Sequence, residues 1–125
     1  MSRDPRKLRV FSFADALVLD VYRATTRFPI DERFGLQAQL RRAAVSAATN
    51  IVEGCARRTT REYVHFLNIA VGSAAEARYL LELAHRLEML SGEAHSRMGT
   101  SYTELLKGLQ KLITSLDYDR PSYRP

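Results

Sequence analysis

Apolar residues recur along the chain at spacings of three and four, and the pattern resolves into four helical stretches separated by short breaks. The first covers about 13–27. Ala14, Leu17, Val18, Val21 and Tyr22 share one face, Ser12 is the expected N-cap with Asp15 three residues on, and Phe28-Pro29 ends the helix. The second covers about 32–56, with Asp31 as N-cap. Leu36, Leu40, Ala43, Ala44, Ala47, Ile51 and Cys55 form its apolar stripe. Val45, Ala48 and Val52 widen that stripe to about 200°, where a bundle helix needs only about 100°. A chain this small has little interior to spare, so Val45, Ala48 and Val52 are read as a contact between subunits.

Thr59 and Glu62 make a capping box for the third helix, about 60–90. Tyr63, Leu67, Ala70, Ala74, Ala77, Leu81 and Ala84 step alternately by four and three, the seam of a helix in a bundle, and Phe66, Leu80 and Leu87 widen it. Gly72 in mid-helix is read as a close helix crossing, because glycine there otherwise costs about 1 kcal/mol relative to alanine. Ser91-Gly92 breaks the chain again, and the fourth helix covers about 93–116, with Met98, Tyr102, Leu105, Leu106, Leu109, Leu112, Ile113 and Leu116 inward. Residues 1–9 and 118–125 are read as flexible tails around one domain that takes in the whole of 1–125. The connections are short, so neighbouring helices run antiparallel. The expected fold class is all-α, an up-down-up-down four-helix bundle. A hairpin turning near residue 57 sets Arg42 opposite Ser73 and near Glu76, and Asn50 opposite His65. Arg42, Ser46, Asn50 and Glu76 then form a polar layer that fixes helix register more than it adds stability.

Composition sharpens this picture in one respect. Nineteen Lys+Arg stand against fourteen Asp+Glu in 125 residues, a net charge of +5, and all but Lys7, Lys107 and Lys111 of the cations are arginines. The surplus lies in the first half of the chain. Arg3, Arg6, Lys7 and Arg9 form a basic arm, and Arg57, Arg58 and Arg61 crowd the second turn. In an up-down bundle the arm and that turn lie at the same end. These seven residues are the nucleic-acid-binding candidates, since arginine suits bidentate contact with phosphate. The alternative is a solvated, charged loop region. Arg23, Arg27 and Arg33 surround the first turn, at the other end.

Other chemistry recedes. The lone Cys55 permits no intramolecular disulfide, and a reducing, cytoplasmic setting is expected. No apolar run approaches the ~18 residues of a membrane span. Glu62 with His65 and Glu82 with His85 have the Glu-x-x-His spacing of di-iron bundles, but both sit on one helix about 30 Å apart. Neither a metal site nor a cofactor is expected. No nucleophile with a base beside it and no phosphate-binding loop is present, so no catalytic residues are assigned and the protein is read as non-enzymatic.

Phe28-Pro29, Glu32, Gly35-Leu36, the run Gln39 to Ser46, Asn50-Ile51-Val52-Glu53-Gly54, Glu62, Phe66-Leu67, Ala70, Gly72-Ser73 and Glu76 together resemble the four-helix family of 23S ribosomal-RNA intervening-sequence proteins. The resemblance covers roughly 11–90. It departs where Ala47-Ala48 replace the family's usual Ile-Pro, where Val52 replaces alanine, and where Val71 replaces an arginine. The resemblance implies a ring-like homopentamer. A related accessory protein of diversity-generating retroelements binds nucleic acid and a reverse transcriptase. RNA, DNA or a reverse-transcriptase-like protein are therefore the expected partners besides further copies of the chain. The runner-up reading is an assembly-only protein–protein interaction module that does not bind nucleic acid.

Overall fold

The computed structural model describes residues 3–117. The expected tail 118–125 lies outside them, as do Met1 and Ser2. Four helices account for most of the described chain: α1 (Arg9–Thr25), α2 (Leu36–Cys55), α3 (Thr60–Arg86) and α4 (Gly92–Asp117). Single 3-10 turns at Pro5–Lys7 and Ile30–Glu32 precede α1 and α2. No strand occurs among the described residues.

The helix ends correct four readings, each for a local reason. α1 starts at Arg9, four residues before Phe13, because the Asp4 carboxylate caps the 3-10 turn at Pro5 and delivers the chain directly into the helix. Ser12 therefore caps nothing, and the segment read as a tail is structured from Asp4 onward. α2 starts at Leu36 rather than near 32. Asp31 falls in the 3-10 turn, and the cap comes from Glu32, whose Oε1 accepts the Leu36 N–H at 2.9 Å. A Cβ on Gly35 would lie 2.7 Å from that oxygen, so the capping carboxylate needs glycine beside it. α3 stops at Arg86, short of 90. Glu88 adopts a left-handed φ of 62°, the Glu88 N–H donates to the His85 carbonyl and the Met89 N–H donates to the Ala84 carbonyl. This is a Schellman stop built without the glycine that normally announces it. Ser91 then caps α4, its Oγ accepting the Ala94 N–H at 3.1 Å.

α2 and α3 share the broadest contact. Ala43, Ala44 and Ala47 on α2 and Ala70, Ala74 and Ala77 on α3 are all buried, and small side chains of this kind let helix backbones approach closely. Larger residues fill the remaining interior, among them Leu40, Ile51, Leu67, Leu81, Met98, Leu105 and Leu109. Gly72 does not serve the crossing assigned to it: a Cβ there would meet nothing within 4 Å. Each neighbouring pair of helices is tied at two or more places, and residue numbers rise on one helix as they fall on the other. Arg42 meets Glu76 and Ser46 meets Ser73 between α2 and α3. Asp20 meets Arg97, and Val10 approaches Gly108, between α1 and α4. Gln37 and Arg41 bond Thr25, and Arg41 also reaches the Tyr22 carbonyl, between α1 and α2. Arg78 meets Thr103 and His85 meets His95 between α3 and α4.

Tyr102 is buried on α4, and its hydroxyl has no hydrogen-bond partner among the described residues. Burial pushes its pKa up. An unpartnered buried polar group costs about 1–3 kcal/mol. Tyr102→Phe keeps the ring and removes that cost. The expected result is a melting temperature several degrees higher, about 4 °C for each kcal/mol, read by circular dichroism.

Candidate functional site

The arginine-rich end is assembled from three pieces of chain. α2 terminates at Cys55, four residues make the turn, and the last of them, Thr59, caps α3 by accepting the Glu62 N–H at 3.1 Å. The Glu62 carboxylate in turn accepts a 3.1 Å hydrogen bond from the Thr59 hydroxyl rather than from the Thr59 N–H that a full capping box would use. The N-terminal segment is tied to this turn, because the Arg3 N–H donates to the Cys55 carbonyl at 2.7 Å. That bond satisfies one of the carbonyls a helix leaves unpaired at its C-terminus.

Two arginines lie on aromatic rings. The Arg3 guanidinium sits 4.1 Å from the centroid of Tyr63, and that of Arg57 sits 4.7 Å from Phe66. Such stacking is worth about 0.5–2 kcal/mol and holds the guanidinium in one orientation. Tyr63 is itself wedged against Gly54, where a Cβ would lie 3.0 Å from its ring. The Tyr63 hydroxyl and Arg3 Nη1 are buried without hydrogen-bond partners among the described residues. Burial, reinforced by the neighbouring Cys55 thiol, pushes the Tyr63 pKa up to about 12. Burial likewise raises Cys55, which keeps its thiol protonated and unreactive at neutral pH.

Sequence reasoning assigned Tyr63 and Phe66 to the core seam alone. The signal for their second role was their place one turn into α3, within reach of the cations at 57–61.

The seven basic candidates differ in their availability. Arg6 is engaged by Asp4 through two side-chain hydrogen bonds of 3.1 Å, and these hold the Asp4 carboxyl below its ordinary value. Arg57 pairs with Glu53. Arg9 is exposed, with its guanidinium 5.6 Å from the Phe13 ring. Lys7, Arg58 and Arg61 are exposed and form no ion pair among the described residues. The region therefore carries more positive than negative charge, and Arg58 and Arg61 face solvent.

The polar layer lies on the α2–α3 face. Arg42 Nη2 is 2.7 Å from Glu76 Oε2, Ser46 Oγ is 2.8 Å from Ser73 Oγ, and Asn50 Nδ2 donates to the Ser46 carbonyl at 2.8 Å. Both charged partners are well exposed, which limits the ion pair to roughly 0–1 kcal/mol. Asn50 does not face His65, whose ring instead meets the edge of Phe66. The helices mesh about one turn away from the register counted from residue 57.

Of the three subunit-contact candidates, Ala48 is buried within the chain at 9% exposure and offers no surface to a partner. Val45 is half-buried and Val52 is 41% exposed. Elsewhere His85 and His95 stack face to face, centroids 4.6 Å apart, across the α3–α4 turn. No group of three metal-ligating residues occurs among the described residues. Among the described residues, no helix is long and apolar enough to cross a membrane.

The family described as 23S rRNA-intervening sequence protein matches residues 6–111. A crystal structure from Bacteroides thetaiotaomicron VPI-5482, described as a protein with unknown function from the S23 ribosomal protein family, is 24% identical. It superposes with a TM-score of 0.77 over 84% of this chain and 95% of that one, a likeness of fold. Curated proteins give no significant match.

Proposed function

Because this chain belongs to the 23S rRNA-intervening sequence protein family, we propose that it is a non-enzymatic, self-associating scaffold whose arginine-rich end binds the phosphate backbone of nucleic acid. The observation that carries this reading is the state of Arg58 and Arg61. They stand exposed and without ion pairs among the described residues, beside Arg3 and Arg57 stacked on Tyr63 and Phe66. Fixed and free guanidinium groups side by side suit recognition of shape and charge without reading of bases.

The opposed numbering of every neighbouring helix pair supports an up-down-up-down bundle. Assembly is proposed as a ring of five copies, a number that comes from the family resemblance. Val52 and Val45 on α2 supply apolar surface for it. The single buried Cys55 suits a reducing, cytoplasmic compartment. The same surface would also serve contact with an enzyme that acts on nucleic acid.

The test is solution mass by light scattering coupled to size exclusion, with and without structured RNA at low and moderate salt. Five copies of a 14.2 kDa chain give a mass of about 71 kDa. The expected result is that mass, with a shift on RNA that fades as salt rises. A mass near one chain overturns self-association. A ring with no RNA shift overturns nucleic-acid binding and favours the assembly-only reading.

A further inference from the structure

Across the outer face of α4 runs an apolar groove of about 960 Å³ that shares only Arg9 with the seven basic candidates. Two small residues line it. Ala75 of α3 lines one wall, and Gly108 of α4 admits the start of α1 so closely that a Cβ would come within 2.8 Å of Val10 Cγ1. Half-buried Phe13, Val71, Leu106 and Leu112 supply apolar lining. The charged lining residues are nearly all of one sign. Arg9, Arg78, Lys107 and Lys111 are exposed around the groove, and its one carboxylate, Glu104, lies 3.6 Å from Lys107.

We propose that this groove docks an acidic amphipathic helix of another protein. The α4 wall from Thr103 to Leu112 extends about 14 Å, enough for anchors at i, i+3 or i+4, and i+7 of a partner helix. The apolar lining is aliphatic except for the single ring of Phe13, whereas single-stranded nucleic acid is bound on successive aromatic platforms. Carboxylates flanking the partner's apolar face would meet Arg9, Arg78, Lys107 and Lys111, which select an acidic helix over a basic one. A further copy of this chain, itself carrying +5, lacks that complementarity.

The probe is a fluorescein-labelled Leu/Glu model helix of about five turns, with a Leu/Lys helix of the same pattern as control, titrated into the full chain by anisotropy. Saturable binding of the Leu/Glu helix alone is expected. Lys107→Glu with Lys111→Glu weakens it about tenfold or more. Ala75→Leu, which fills the groove and leaves every charge in place, also weakens it, while circular dichroism shows an unchanged fold. Arg58→Glu with Arg61→Glu leaves peptide binding intact, so loss of RNA binding and loss of peptide binding are separable.

Equal binding of both helices, or none of the Leu/Glu helix, overturns the proposal. So does an Ala75→Leu variant that binds the peptide as the parent does. RNA affinity lost in Ala75→Leu without any peptide binding would assign the groove to nucleic acid. A changed solution mass of that variant without peptide binding would assign it to contact between copies.

Discussion

Arg58→Glu with Arg61→Glu is expected to reduce binding of structured RNA to the nonspecific floor at moderate salt, with fold and assembly unchanged. Each cation neutralising a phosphate releases condensed counterions, so log affinity falls with log salt at a slope near −0.9 per contact on a duplex. An end that makes about five such contacts loses between two and three orders of magnitude between 50 and 200 mM salt. Removing two contacts lowers the slope by about two, and the added carboxylates repel the backbone as well. Both residues are exposed and carry no ion pair among the described residues, so the exchange breaks no contact within the described chain. Filter binding or anisotropy across a salt series reads the result. An unchanged slope would remove these arginines from any phosphate contact.

Tyr63→Ala is expected to be among the most damaging single changes in the chain. The ring is fully buried, fills the space beside Gly54 and carries the Arg3 guanidinium on its face. Deleting a buried aromatic ring costs about 3–5 kcal/mol, much of the stability of a domain this size. The melting temperature should fall by roughly 15 °C, read by circular dichroism or calorimetry.

Tyr63→Phe separates the ring from its hydroxyl. The hydroxyl has no partner among the described residues beyond the neighbouring Cys55 thiol, a weak one, so its loss is close to neutral at pH 7. The same variant changes the alkaline limb. Tyr63 titrates near 10 when unfolded and is pushed up to about 12 when folded. Its neutral form is therefore favoured by folding, and that contribution is complete below pH 10 and lost as pH rises through 12. Tyr63→Phe should flatten the loss of stability between pH 10 and 12. A variant as alkali-sensitive as the parent would place that loss elsewhere.

Four helices, their inward faces and their family were legible in the residue pattern, because burial follows the 3.6-residue period closely. The alanines of α2 and α3 are buried as their spacing implies. Helix ends were less legible where the stop came from an unexpected residue. Glu88 takes the left-handed position usually given to glycine, and Glu32 reaches forward to cap α2 where Asp31 was the better sequence candidate. Ser12 has the right chemistry for a cap, but Asp4 and Pro5 had already started the turn that leads into α1.

At the arginine-rich end, the cations themselves stand plainly in the sequence. Their availability does not. Arg6 against Asp4 and Arg57 against Glu53 are held by carboxylates, whereas Arg58 and Arg61 are left to solvent, although all four read alike along the chain. The rings under Arg3 and Arg57 and the groove beside α4 depend on residues 60 to 100 positions apart in places, such as Arg3 with Tyr63 and Val10 with Gly108.

Periodicity, charge and turn chemistry are local quantities, and from them follow the helices, the basic arm and the family. Which arginines are paired, which apolar side chains are covered and where a groove opens depend on how four helices mesh. A shift of one turn between α2 and α3 sets Ser46, rather than Arg42, against Ser73 without changing a single residue's propensity. That mesh is set by small side chains packing across helices distant in sequence, and no local pattern encodes it.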